Sequence, residues 1–226
     1  MQEPRRFSYR ILFIPETIGA IAWLSTHLDL LKRIKWGMVL TCLGDPGPFT
    51  YKKTKNGDSI IDNIVQKVLL DSGKPFSIID FFPLGSDERQ FSSPGINIPF
   101  GSLMRTMYEK FPEYHTSADT LEFIAPKSLN ESLELYCNIV DCFEGNGYYV
   151  NLCPFCEPQL GKRGLYYEVG AQKNRDLSID ALLWLLNYCD GTHSLLDIAT
   201  KSGIKLSIMR DGVHLLLKNG LLKQID

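Results

Sequence analysis

No apolar run in this chain approaches the roughly 18 residues a membrane-crossing helix needs. Met1-Gln2-Glu3-Pro4-Arg5-Arg6 leads into no signal-peptide core either. A cytoplasmic protein without membrane partners is the expectation. Charge of either sign is not in excess: 24 Lys and Arg against 26 Asp and Glu leave −2. No global field therefore recruits nucleic acid or an anionic surface. The six cysteines (Cys42, Cys137, Cys142, Cys153, Cys156, Cys189) are too few and too scattered for a disulfide framework, and most are expected as reduced core residues. Internal repeats and low-complexity tracts are lacking. What remains is an ordinary globular composition, 44% hydrophobic and 22% charged, over 226 residues. That length suits one large domain or two smaller ones.

Strand and helix signals alternate through the first two thirds. Tyr9 to Ile14 is a short apolar strand run stopped by Pro15, and Thr17 could cap a helix running to about Ile34. Gly37 to Leu43 has the unbroken apolar character of a fully buried strand. Asp58 to Leu70 carries an amphipathic stripe of Ile61, Ile64, Val65, Val68 and Leu69, with Asp58 near its cap. Phe76 to Phe82 and Ile96 to Met104 supply further strands, and Lys127 to Phe143 a helix ended by Gly145-Asn146-Gly147. This order predicts a layered α/β domain over residues 1–146, with helices covering a mostly parallel sheet. A connector rich in Gly, Pro, Tyr and Asn occupies 147–176. From 177 to 226 the pattern is helix, short helix, longer helix and terminal strand, the order of a winged helix-turn-helix.

Three motifs stand in series: Gly85-Ser86-Asp87-Glu88-Arg89-Gln90-Phe91, then Ser93-Pro94-Gly95-Ile96-Asn97-Ile98-Pro99, then Tyr114-His115-Thr116-Ser117-Ala118-Asp119-Thr120. A histidine with a carboxylate four residues on is common; the ordered series is not. It resembles the closing part of zinc-dependent exopeptidase domains of the bacterial leucine-aminopeptidase type. The resemblance implies a three-layer, phosphorylase/hydrolase-like mixed sheet, present here as a partial domain, followed by the small winged helix.

In that family the histidine of the last motif binds metal, which makes His115 the leading ligand candidate. Asp119 could orient its ring through the second nitrogen. Ile14-Pro15-Glu16-Thr17-Ile18-Gly19 is similar to the family's Glu-Glu-x-Gly motif, whose first glutamate is the general base. Glu16 matches that base and Gly19 the glycine, while Thr17 stands where the family has a metal-binding glutamate. Asp45, in Leu43-Gly44-Asp45-Pro46-Gly47, falls roughly where the family places a metal-binding aspartate. Asp-Pro-Gly is equally a turn that needs no metal. Asp87 would shape the pocket; Glu88 and Arg89 would touch substrate or be solvated.

The implied chemistry is hydrolysis of an N-terminal peptide bond, or of a small amide, by metal-activated water. The family holds one or two zinc ions; at most one is expected in this chain alone. The family's pattern also includes an earlier histidine and a bridging aspartate, from segments before the strand that Tyr9 to Ile14 forms here. Eight residues, Met1–Ser8, precede that strand, and His27, His193 and His214 are poorly placed to substitute. The resemblance therefore covers the second half of an exopeptidase domain, and the site is expected to be incomplete. A non-catalytic protein keeping the fold for binding or assembly is the competing expectation.

Cys153-Pro154-Phe155-Cys156 is a single CxxC with no second pair at zinc-finger spacing. The run from Cys156 to Tyr166 resembles a segment between peptidase-like part and winged helix in bacterial proteins described as aminopeptidase-like and linked to polysaccharide biosynthesis. From Leu177 onward Lys201, Lys205, Arg210, Lys218 and Lys223 are balanced by Asp180, Asp190, Asp197, Asp211 and Asp226. A DNA-binding module needs a basic face, so self-association or protein docking is the expected use of the winged helix.

Overall fold

The computed structural model describes residues 5–165 and 179–225. They divide into two compact units, Phe7–Ile139 and the chain from Val140 onward together with the N-terminal residues.

The first unit is built on a four-stranded sheet of β1 (Gly37–Leu40), β2 (Phe49–Lys52), β3 (Phe76–Ile79) and β4 (Phe100–Met104), in the order β1-β4-β2-β3. β1 runs parallel to β4 and β2 parallel to β3, whereas β2 and β4 are antiparallel, so the sheet is mixed. α1 (Ile18–Thr26), α2 (Ile60–Ser72), the single turn α3 (Glu88–Phe91) and α4 (Pro126–Gly145) complete it. The core gathers Phe49 and Tyr51 of β2, Ile61, Ile64, Val65 and Leu69 of α2, and Leu103 and Met104 of β4.

Local chemistry explains where the elements differ from the sequence pattern. α2 is capped by Ser59 rather than Asp58, because Ser59 and Asp62 form a reciprocal capping box. Asp62 is fully buried and accepts from Tyr51 Oη at 2.9 Å, Thr54 N at 2.8 Å and Ser59 N at 2.9 Å, besides both neighbouring hydroxyls. α1 stops at Thr26 instead of running to Ile34: the hydroxyls of Ser25 and Thr26 bond back to Ala22 O, and a 3₁₀ turn, Leu31–Arg33, follows. β1 is shorter than the apolar run and is an edge strand, so its residues are half-exposed rather than buried. The positive φ of 47° at Cys42 lies just beyond it. Tyr9 to Ile14 is not a strand and belongs to neither sheet. Leu12 and Ile14 pack on the cluster of Ala20, Leu24 and Phe91, while Ile11 and Phe13 face solvent.

The second unit is the winged helix. α5 (Ile179–Tyr188), α6 (Leu195–Ser202) and α7 (Leu206–Lys218) bury Leu182, Leu185, Ile198, Met209, Val213 and Leu216. β5 (Tyr148–Asn151), β6 (Asp190–Ser194) and β7 (Leu222–Gln224) form a sheet in the order β6-β5-β7. The start of the expected connector is thus the central strand, and Asp190-Gly191 opens a strand rather than a simple turn. A second Ser-x-x-Asp capping box, Ser194 with Asp197, starts α6, and Gly203 ends it at φ 73°. Arg163 and Lys162 of the polar run lie on a 3₁₀ turn closed by Gly164, with Leu160 and Leu165 buried on either side.

Among the described residues no helix is long and apolar enough to cross a membrane.

Candidate functional site

The loops that leave the parallel strands β1 and β4 surround a cavity of about 490 Å³ in the first unit. Carboxyl ends of strands are where open α/β sheets build their sites. Thr41 to Asp45 follow β1; Tyr108, Glu109, Phe111, Tyr114, His115 and Asp119 follow β4; Glu16 enters from ahead of α1 and Leu84 to Ser86 from ahead of α3. Four of the residues singled out from sequence, Glu16, Asp45, His115 and Asp119, therefore line one cavity although more than a hundred positions separate the first from the last.

Each is held differently. His115 adopts φ 56°, a left-handed backbone uncommon outside glycine, and its ring stacks on Tyr114 at 3.9 Å between centroids. Asp119 is exposed and donates its backbone N–H to Thr116 O; among the described residues its carboxylate accepts no hydrogen bond from the His115 ring. Asp45 is 4% exposed. Its Oδ1 accepts from Gly47 N at 2.8 Å and from the Thr106 hydroxyl, and Thr106 N is shared between Oδ1 and Oδ2 at 3.2 Å each, the one hydrogen bond to Oδ2 among the described residues. It ties the turn after β1 to the end of β4, which is the turn chemistry of Asp-Pro-Gly at work. Glu16 is exposed at the cavity.

The other candidates brace this wall rather than line it. Thr17 sits at φ 61°, ψ −66°, and Asp87 Oδ1 accepts its backbone N–H at 2.6 Å. Arg89 Nη2 donates to the Thr17 hydroxyl at 3.2 Å. Asp87 and Arg89 thereby hold the strained turn that presents Glu16. Glu88 is not at the cavity: fully buried, it accepts from Lys52 Nζ at 2.7 Å, and Lys52 is as deeply buried. Lys52 also donates to Leu84 O at 2.8 Å and to Tyr108 Oη at 3.2 Å, and stands 3.8 Å from the centre of the Phe82 ring. Tyr108 in turn donates to Leu84 O at 3.1 Å. This pair pins the Leu84–Ser86 wall from behind. Gly85, at φ 144°, is required there, since a Cβ would come within 2.2 Å of Tyr108 Oη.

Sequence reasoning missed Cys42, Tyr108 and Lys52. Burial pushes the Cys42 thiol up; a hydrogen bond with Thr41 partly offsets this, and the carboxylates of Asp45, Glu16 and Asp119 push it further. Burial also raises Tyr108 and Tyr114, the latter with help from Glu16. The cavity is thus an acidic, aromatic-walled space containing one imidazole.

The donor chemistry suits zinc, which takes imidazole with carboxylates. Yet among the described residues no three His, Cys, Asp or Glu side chains stand together as a metal site.

Comparison with known proteins agrees with the architecture. A crystal structure at 2.37 Å of a Clostridium acetobutylicum protein described as a "putative peptidase" matches with a TM-score of 0.88 and 49% identity, over 98% of this chain and 49% of that one. A curated protein of the same organism, named "Putative polysaccharide biosynthesis protein with aminopeptidase-like domain", is 50% identical over 220 residues, 97% of this chain and 50% of its own length. The fold is accordingly that of a peptidase-like protein, a mixed α/β domain followed by a winged helix-turn-helix. Residues 1–146 match the model of the domain of unknown function DUF4910, and residues 147–224 a winged helix-turn-helix model. The chain belongs to the DUF4910 family. It spans about half the length of the relatives it matches.

Proposed function

We propose that the cavity is one wall of an aminopeptidase-like hydrolytic site that takes an N-terminal peptide or a small amide. The observation that carries this reading is the convergence of Glu16, Asp45, His115 and Asp119 on one cavity at the carboxyl ends of β1 and β4. His115 and the less encumbered Oδ2 of Asp45 would hold a single zinc, together with donors from outside the described residues. Bound there, zinc would supply Lewis-acid polarisation and acidify a water molecule. Glu16, exposed at the cavity and held by the Asp87-anchored turn, is placed to accept a proton and return it to a departing amine. Tyr108, Tyr114, Phe111 and Phe123 restrict the space around it.

Zinc content after dialysis against micromolar zinc, with the wild type beside His115→Ala, tests the reading. About one zinc per chain, lost in the variant, is expected from a one-imidazole site. Zinc retained by His115→Ala would move the metal elsewhere and refute it.

Thr17 favours a second reading, a non-catalytic peptidase-fold protein used for binding or assembly in a polysaccharide pathway. Its hydroxyl accepts from Arg89 at the position where the zinc-dependent exopeptidases that the sequence resembles have a metal-binding glutamate.

A further inference from the structure

Leu84 is 59% exposed, yet its carbonyl oxygen is not turned to solvent. That oxygen accepts from Lys52 Nζ at 2.8 Å and from Tyr108 Oη at 3.1 Å. Lys52 is fully buried and stands behind the cavity wall rather than lining it. The peptide bond from Leu84 to Gly85 is trans. In a planar trans peptide the N–H stands opposite the C=O. With the Leu84 oxygen facing the buried pair, the N–H of Gly85 faces the other way, on the side of the wall that the cavity occupies. Among the described residues that N–H has no acceptor, whereas Gly47 N and Thr106 N, on the loops that follow β1 and β4, both donate to Asp45.

We infer that the Gly85 N–H is the donor that receives the carbonyl oxygen of the bound amide, and that the Lys52–Glu88 pair aims it. The inference rests on the reading of the cavity as a site for an N-terminal peptide or a small amide. The donor is set before any ligand arrives. The charge of Lys52 strengthens its hydrogen bond to Leu84 O relative to that of a neutral donor. Its three protons go to Glu88 Oε1 at 2.7 Å, Leu84 O at 2.8 Å and Tyr108 Oη at 3.2 Å, which leaves the ammonium no freedom to turn. Gly85, at φ 144°, lets the backbone lie against this cluster, where a Cβ would come within 2.9 Å of Lys52 Nζ. A buried ion pair seldom adds net stability over apolar residues of the same volume, but it can fix a geometry. Here the geometry it fixes is the direction of one peptide plane. A fixed N–H dipole gains most where negative charge builds on its acceptor, as on the carbonyl oxygen of an amide under attack. The ligand class follows: compounds that carry a C=O beside the amine, in preference to plain amines.

Isotope labelling of leucine carbonyl carbons and glycine nitrogens isolates three peptide groups for NMR, Leu43–Gly44, Leu84–Gly85 and Leu160–Gly161. Gly44 lines the cavity and Gly161 does not. Leu84→Ile deletes the Gly85 signal and so assigns it. The 226-residue chain, kept in chelator so that metal plays no part, is titrated with leucinamide. A second titration uses isoamylamine, which has the same side chain and amine but no carbonyl. Leucinamide should move the Gly85 proton downfield and isoamylamine should leave it in place, while both perturb Gly44 and neither perturbs Gly161. In the double variant Lys52→Met/Glu88→Met, leucinamide should bind about fivefold more weakly and isoamylamine as before. The wild-type comparison stands even where that variant fails to fold. Gly44 responding to leucinamide with Gly85 unmoved would overturn the inference and leave the amide site standing. An equal loss for both probes in the double variant would also overturn it, since the pair would then be a packing element. No response of either cavity glycine to either probe would remove the amide site itself, and the inference with it.

Discussion

Lys52 and Glu88 form a pair with no exposed side-chain surface, and breaking it by one substitution should be costly. Lys52→Met keeps most of the stem that lies among Phe81, Phe82 and Tyr108 but removes the charge. Glu88 then stays buried without its cation. One of its oxygens, Oε2, already has no partner, so little else is available to offset the loss. Removing one member of a buried pair typically costs about 3–5 kcal/mol. Replacing both with apolar side chains of similar volume is often neutral or even stabilising by about 1–4 kcal/mol, because the desolvation of two charges is relieved together. Urea unfolding followed by circular dichroism should therefore show large losses for Lys52→Met and Glu88→Met. The double variant should recover most of the loss, a coupling of about 2 kcal/mol or more. A Lys52→Met loss below about 1 kcal/mol, or single losses that simply add in the double variant, would refute the reasoning.

Asp62 should shape the acid limb of stability. Burial alone would raise its carboxyl, but hydrogen bonds from Ser59, Thr54 and Tyr51 outweigh burial and hold it below the ordinary value. The stability it contributes is complete above the unfolded carboxylate value and drains away as pH falls through the folded one. Asp62→Asn should cost about 2–3 kcal/mol near neutrality and flatten that acid limb in urea titrations; an unchanged limb would count against the account. Cys42 should be a slow thiol. Near neutral pH, iodoacetamide followed by mass spectrometry should label the exposed Cys137 and Cys156 first, with Cys42 about tenfold slower. Glu16→Gln should speed Cys42 by removing a neighbouring negative charge; labelling of Cys42 at the rate of Cys156 would contradict its placement.

Much of the architecture was legible because its signals are periodic. α2, α4 and the helices of the winged helix carry apolar stripes at helical spacing, and their glycine stops stand in the sequence. β2 and β5 were not legible. Each is four residues long, with Thr50 and Lys52 or Asn151 interrupting the apolar pattern, and each is a strand only because neighbouring strands complete it. Tyr9 to Ile14 failed in the opposite sense, having strand composition but joining neither sheet. For the cavity, the ordered motifs pointed to Glu16, Asp45, His115 and Asp119. They could not separate those that line it from Thr17, Asp87 and Arg89, which hold its edge. That separation depends on backbone angles at Thr17 and His115 that no propensity encodes. Glu88 was read as a surface or substrate group because its partner, Lys52, lies thirty-six positions earlier on a strand that the pattern did not reveal.

The bare backbone at Gly85 carries a consequence for how this gene can drift. Every missense change at a glycine codon adds a Cβ, and here that atom would meet the Tyr108 hydroxyl and the Lys52–Glu88 pair behind it. No single-nucleotide path therefore leads from Gly85 to a tolerated neighbour, because losing the Tyr108 hydroxyl leaves the Lys52–Glu88 pair and the φ of 144° in place. In a saturation library of codon 85, folded survivors should be glycine-encoding synonyms, on a Tyr108→Phe background as on the wild type.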